Sequence, residues 1–253
     1  MLACAKRNAV VSGDTPLHAR AALVTGAGRG IGRSIALTLA TAGATVGLAA
    51  RTVAELEAVA GEITERGGAA HVLPVDLTDD DAVVALAARA RDALGRIDIL
   101  VHNAGGAPPH GAFERSRAAD WDRTLRVNLH APMLLTQQLL ADLRRGTEPA
   151  IVFIASIAGM TGSAGAAAYC AAKFGVRGFA QALFEEVRED GIRVSVISPG
   201  FVDTALIPPN RKIRRERMLR PDDVAAAVLF AVQSASTADC TEIVLRPQRS
   251  PYA

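Results

Sequence analysis

Seven short runs of apolar residues punctuate the chain, at 21–25, 45–50, 71–75, 97–102, 151–155, 193–197 and 243–246. Within each run the apolar character is nearly continuous rather than alternating, the pattern of parallel strands covered on both faces. The intervening segments 31–41, 53–66, 81–94 and 132–144 are longer and rich in Ala and Leu, which predicts helices. Strand and helix in alternation predict an α/β fold, a doubly wound parallel sheet of about seven strands flanked by helices. No shift of composition marks a linker, so residues 20–253 read as one domain, including a segment at 201–220 that follows the sixth strand. Residues 1–19 read as a loose leader. That leader has no apolar run of signal-peptide length, and no stretch elsewhere reaches a membrane span, so a cytoplasmic protein is expected.

Composition narrows the picture slightly. Half of the 253 residues are hydrophobic, enough for one large core and too many for a long disordered region. A net charge of +2 is too small to point to nucleic acid or to a membrane surface. Cys4, Cys170 and Cys240 lie far apart with no metal-ligand spacing, as expected of reduced thiols in the cytoplasm.

In doubly wound sheets the ligand lies beyond the carboxyl ends of the strands. The first strand runs directly into Thr25-Gly26-Ala27-Gly28-Arg29-Gly30-Ile31-Gly32 and then a helical pattern. Glycines allow a sharp turn and a close backbone approach, and the free N–H groups at a helix start favour an anion. Strand before and helix after raise this above an ordinary tight turn and indicate a dinucleotide phosphate. The second strand ends Ala49-Ala50-Arg51-Thr52 without the acid that would bind a ribose 2′-hydroxyl. Arg51 and Arg29 are instead placed to pair with a 2′-phosphate, so NADP(H) is the expected cofactor and NAD(H) the alternative.

Tyr169 and Lys173 stand four apart at the start of a helical segment and share one face. A nearby ammonium would lower a phenol from its usual value near ~10 and fit it for proton exchange with a carbonyl or alcohol oxygen. Ser156, just past the fifth strand, is suited to hydrogen-bond that oxygen. A tyrosine–lysine spacing alone occurs on many solvated helices. The ordered set Asn128, Ser156, Tyr169, Lys173 downstream of a glycine turn is far more specific.

The TGxxxGxG spacing, followed by these residues in order, resembles the short-chain dehydrogenase/reductase (SDR) family, over roughly residues 20–246. That resemblance implies a Rossmann fold in which Gly26, Gly30, Ile31 and Gly32 line the dinucleotide. It implies further that Asp76 and Leu77 hold the adenine and that Asn103, Ala104 and Gly105 follow the fourth strand beside the cofactor. Pro199, Gly200 and Val202 would lie near the nicotinamide, with Thr204 on its carboxamide. Tyr169 and Lys173 would contact the cofactor as well, and Asn128 would join a proton relay through a water. A homotetramer is implied, with helices around 132–144 and 170–188 in its interfaces. Within the family the leading analogy is to the 3-oxoacyl-acyl-carrier-protein reductases. Two departures weaken that analogy: Glu185 stands where carrier-binding members often place an arginine, and the ending Thr241-Glu242-Ile243-Val244-Leu245-Arg246-Pro247 replaces a glycine-rich one.

The expected activity is therefore NADPH-dependent reduction of a ketone or 3-oxoacyl-type carbonyl to a secondary alcohol, with Tyr169 as general acid. The small-molecule substrate would be a small ketone or free thioester rather than a carrier-bound one. Oxidation of a secondary alcohol or polyol by the same residues is one alternative, and a non-catalytic NADP(H)-sensing protein is another. The basic segment Arg211, Lys212, Arg214, Arg215, Arg217 and Arg220 reads first as a solvated lid, and otherwise as an attractor of anionic substrate. His102, Cys170 and Trp121 read as packing residues rather than as chemistry.

Overall fold

The computed structural model describes residues 15–106, 111–207, 212–235 and 237–252. Residues 1–14 of the expected leader, with Cys4, and Arg211 of the basic segment lie outside the described residues.

The strands are β1 (Ala21–Thr25), β2 (Thr45–Ala50), β3 (Ala69–Pro74), β4 (Ile99–His102), β5 (Ala150–Ile154), β6 (Arg193–Pro199) and β7 (Glu242–Leu245). They form one sheet in the order β3-β2-β1-β4-β5-β6-β7, with every neighbouring pair parallel. Central strands such as β1 and β5 are buried at every position, which is why they read as unbroken apolar runs. At the sheet edge β3 is only intermittently buried, and its start at Ala69 falls two residues ahead of the apolar run at 71–75.

Helices cover both faces. On one side α1 (Gly30–Thr41), α2 (Val53–Glu65) and, after β6, Pro221–Val232 enclose a core that includes Val24, Ile35, Leu39, Val46 and Val228. Leu17 is fully buried in that core and its N–H donates to Ala42 O at 2.8 Å, so the chain is already packed before β1 begins. On the other side α3 (Asp80–Leu94) packs with two further helices. The first is a long path in which α4 (Ala118–Leu125) passes through a π-helical turn, Arg126–His130, into α5 (Ala131–Leu143). The second is α6 (Ala167–Val187). Their core includes Leu86, Leu100, Leu135, Phe153 and Val176. The helix Pro221–Val232, α7, begins on a proline, whose fixed φ and missing N–H suit a first turn.

Strand order reverses between β2-β1 and β4-β5, and a crevice opens at the carboxyl ends there. The segments leaving β1, β4, β5 and β6 converge on it.

Candidate active site

The turn leaving β1 is built on glycine backbone. Gly26 and Gly30 adopt φ of +66° and +55°, the left-handed region that other residues rarely enter. A Cβ on Gly32 would stand 2.0 Å from the Gly26 carbonyl oxygen, so α1 can start against the turn only with glycine there. Asn103, leaving β4, ties the turn down: its Nδ2 donates to the carbonyls of Thr25 (2.9 Å) and Gly26 (3.2 Å). The Thr25 hydroxyl accepts from the N–H groups of Asn103 and Ala104, each at 3.1 Å, and donates to Val101 O at 3.2 Å. Asn103 and Ala104 thus brace the turn as well as bordering it. Above it, the Thr204 methyl carbon lies 3.3 Å from the position of a Gly30 Cβ.

Helix α1 has no side-chain cap and no acid in its first turn. Its leading N–H groups and the positive end of its dipole therefore suit an anion, and the glycine cradle leaves room for backbone to approach a diphosphate. The residues present fit a dinucleotide. Ile31 is half-buried against the core behind the turn.

The adenosine end carries a correction. The sequence showed no acid beside Arg29 and Arg51, yet Glu55 in the first turn of α2 lies 3.5 Å from the Arg29 guanidinium. Its Cβ and Oε2 stand 2.9 and 3.0 Å from the position of a Gly28 Cβ. Helix geometry brings it back: residue 55 is in the turn that faces the strand ends, a position that the end of β2 alone does not reveal. Arg51 is exposed and acts with Arg123 on Asp76. The Asp76 carboxylate is held below its usual range chiefly by hydrogen bonds from Thr78, whose N–H and hydroxyl donate at 2.9 and 2.8 Å. Leu77 is buried in the core beneath it.

Ser156 leaves β5 in an extended conformation and caps a single 3₁₀ turn, Ile157–Gly159, its Oγ accepting from Ala158 N at 3.1 Å. Tyr169 and Lys173 lie on α6 with the ammonium 5.7 Å from the phenol ring centre. Lys173 is buried, donates to Ile154 O at 2.9 Å, and is pushed down to about 8 by that burial. Tyr169 departs from expectation. Burial raises its phenol above the usual value, opposed by a hydrogen bond with Ser156, and the lysine ammonium exerts no comparable pull. Lys173 donates instead to the β5 carbonyl, and desolvation of the phenol dominates.

Asn128 sits inside the π-helical turn, a distortion common at functional sites. It is buried, with Nδ2 donating to Gly106 O (2.8 Å) and Thr124 O (2.9 Å). Gly105 separates it from the lysine, since a Cβ there would stand 2.7 Å from Asn128 Oδ1 and 3.5 Å from Lys173 Nζ. Asn128, Lys173, Tyr169 and Ser156 therefore form one continuous arrangement.

Residues 20–214 match the short chain dehydrogenase family. The chain belongs to that family. Its members are oxidoreductases acting on CH–OH and C=O groups. Nodulation protein G of Rhizobium sp. (strain N33) is 41% identical over 223 residues, 85% of this chain and 89% of the relative. An uncharacterized oxidoreductase of Staphylococcus aureus (strain USA300) is 33% identical over 92% of this chain and 99% of its own. Among solved structures, a metagenomic short-chain oxidoreductase in complex with NADP superposes with a TM-score of 0.81 at 36% identity, covering 92% of this chain and 99% of that one. A short chain dehydrogenase from Burkholderia cenocepacia J2315, also in complex with NADP, gives 0.85 at 31% identity over 91% and 98%.

The far wall of this dehydrogenase's site is held by arginines. Arg215 donates to Asp203 Oδ1 (2.7 Å) and to the carbonyls of Ile207 and Thr204 (each 2.9 Å), and Arg217 to Ser250 O (3.3 Å). Two members of the basic segment are thus staples of the loop after β6 rather than free lid charges. Val202 is buried and bridges Leu219. Gly200 donates to Leu245 O at 2.8 Å, and Pro247 and Ile157 close on it. The C-terminal tail folds over this loop: Tyr252 packs edge-on to Phe201 at 5.4 Å and bridges Ile213, while Arg214 N donates to Pro251 O at 2.7 Å.

His102 and Cys170, expected to be packing residues, are buried. His102 is buried, stacks on Phe153 at 4.8 Å, bonds Thr136 Oγ1 at 2.8 Å, and is driven down to about 3 by burial. Trp121 stacks on Phe113 at 4.9 Å. Cys170 is buried on α6. Among the described residues no helix is long and apolar enough to cross a membrane.

Proposed function

We propose that this short-chain dehydrogenase uses NADPH to reduce a small ketone or 3-oxoacyl-type carbonyl to a secondary alcohol. The observation that carries the reading is a half-buried phenol, Tyr169, gathered with Ser156 and Lys173 at the mouth of a glycine cradle. The dinucleotide, held by Gly26, Arg29, Gly30, Ile31, Gly32, Asp76, Leu77, Asn103, Ala104, Gly105, Pro199, Gly200, Val202 and Thr204, supplies the hydride. Ser156 Oγ holds the carbonyl oxygen, and Tyr169 gives its hydroxyl proton to that oxygen as it gains charge. The Lys173 ammonium, held near 8, can return a proton toward the phenolate, and solvent entering beside Asn128 across Gly105 would restore the proton to the lysine. A preference for NADP(H) favours reduction over oxidation of an alcohol or polyol. A dinucleotide sensor has no use for this constellation.

NADP(H) preference rests on Arg29 and exposed Arg51, with support from two neighbours crystallised with NADP. Glu55 subtracts from it by competing for Arg29. In the family manner we also propose a cytoplasmic homotetramer. Exposed Met133 on α5 and Phe174 on α6 would be covered in its interfaces, and light scattering tests that state.

Initial rates with NADPH and NADH against 2,3-butanedione, ethyl acetoacetate and acetoacetyl-coenzyme A test the reading. Oxidation of NADPH with at least one carbonyl, at a kcat/KM above that of NADH, is the expected result. Equal use of both dinucleotides removes the preference alone. Turnover of no carbonyl alongside oxidation of secondary alcohols reverses the direction.

A further inference from the structure

The serine turn is gripped from a place that the proposed chemistry does not use. Arg177 lies on α6, four residues beyond Lys173 and eight beyond Tyr169, and so on the same face of that helix. Its Nη1 donates to the carbonyl oxygen of Gly159 at 2.8 Å. Nε and Nη2 donate to the two oxygens of Glu242, each at 2.9 Å, a bidentate fork. Both partners are mostly shielded, with side-chain exposures of 18% and 29%, so water competes little for the pair. Gly159 is the last residue of the turn that Ser156 caps. A Cβ on Gly159 would stand 2.5 Å from the Lys173 carbonyl oxygen, so the turn is seated directly on the helix carrying Tyr169 and Lys173. Glu242 opens β7, in register with Val196 of β6.

Resting on the reading of Ser156 as the group that holds the carbonyl oxygen, we propose that Arg177 and Glu242 are a positioning pair for Ser156. Glu242 orients the guanidinium, and the guanidinium fixes the Gly159 carbonyl. The 3₁₀ turn then has one placement relative to Tyr169. The altered C-terminal sequence is therefore part of how the catalytic serine is aimed. A lysine in place of Arg177 cannot serve the carboxylate and the carbonyl together with the same planar fork.

Hydrogen exchange on the full-length protein tests this without any substrate. Glu242→Gln keeps the shape of the side chain and removes its charge. Amides at 157–161 should exchange about tenfold faster, a shift of local opening. Those of α6 and β7 should stay within about twofold, with NADPH affinity by fluorescence unchanged. Unaltered exchange at 157–161, or an equal rise across β7 and α6, overturns the proposal. Turnover of ethyl acetoacetate gives a second readout. Glu242→Gln and Arg177→Lys should each lower kcat about tenfold at constant NADPH affinity, and by less than about twofold when Ser156→Ala is already present. The same factor in both backgrounds marks a merely structural pair and also overturns the proposal. If Ser156→Ala itself leaves turnover unchanged, the reading of Ser156 falls, and the exchange result still decides whether the pair fixes the turn.

Discussion

The two walls of the crevice are made rigid by different means. The wall leaving β1 relies on glycines and on backbone groups caught by Thr25 and Asn103. The wall formed by the β5 turn, the loop after β6 and the C-terminal tail relies on arginine side chains that reach backbone carbonyls and carboxylates: Arg177 at Gly159 and Glu242, Arg215 at Asp203, Thr204 and Ile207, Arg217 at Ser250. A diphosphate presents the same shape whatever the substrate, so a wall of fixed backbone suits it. A substrate wall built from side-chain staples can change by substitution without refolding the sheet.

Chemistry divides along the same line, and the largest expected effect falls on the second wall. Tyr169→Phe removes a hydroxyl and nothing else, so NADPH affinity should be unchanged while turnover falls on the order of 10³-fold, as for loss of a general acid. Stopped-flow binding together with steady-state rates checks both halves. Retained turnover would place the proton donor elsewhere. On the first wall, Gly32→Ala drives a Cβ to 2.0 Å from the Gly26 carbonyl oxygen. A backbone atom cannot step aside as a side chain can, and the cost should be about 3 kcal/mol or more. Denaturant unfolding should show that loss together with weaker NADPH binding. Gly61→Ala, with open space around it in α2, is the matched control and should stabilise by about 0.5–1 kcal/mol.

The contrast also explains what was legible in the sequence. Backbone-driven features are local and leave a spacing behind, so the glycine turn, β1 and β2 fall where the pattern places them. The tyrosine–lysine pair is equally local, being one helical turn apart. Asn128 and Ser156 were carried by resemblance and by their order, and the fold then brought both to Lys173 and Tyr169. Staples leave no such trace. Arg177 and Glu242 are 65 residues apart, and they meet only because β7 pairs with β6 in one register. Glu55 escaped because the end of β2, not the first turn of α2, is where an acid is sought. Strand β3 begins early because, at the edge, pairing with β2 sustains residues that burial does not require. Proximity of the lysine does not by itself lower the Tyr169 phenol, because burial of the phenol outweighs it.

Lys173 stands at the seam between the walls. Its ammonium, buried and held near 8 against an ordinary 10.5, opposes folding. Below pH 8 it is charged in both states and the burial penalty is complete. From 8 to 10.5 the folded protein has lost the proton that the unfolded chain still binds, so stability rises with pH across that window. Lys173→Met should therefore abolish turnover yet stabilise the protein at pH 7. The shift corresponds to about 3 kcal/mol, less about 1 for the lost bond to Ile154 O, a net gain of about 2 kcal/mol. That gain should fade between pH 8 and 10.5. Thermal unfolding at pH 7 and pH 10.5 reads the difference, and equal gains at both would show that burial of the charge is not its source.

The smallest effect is expected at the outermost staple. Ser250, Pro251 and Tyr252 hold the loop after β6 through one edge-on ring contact, one strand-like bridge and the bonds to Arg214 N and Arg217. None of these touches Ser156, Tyr169 or Lys173, whereas all of them bear on the loop that faces the substrate. Truncation after Arg249 should leave Arg215 still gripping Asp203, Thr204 and Ile207, so the loop is loosened rather than released. A ring contact and two exposed or partly exposed hydrogen bonds together are worth about 1 kcal/mol, which predicts a rise in KM for the carbonyl of about fivefold with kcat within about twofold. NADPH affinity should fall little, because Thr204 stays stapled over Gly30 by Arg215. A fall in kcat at constant KM would instead join the tail to the serine turn, making the second wall one mechanical unit. Tyr252→Leu separates the ring contact from the backbone bridge, and should give about half of the truncation's effect on KM.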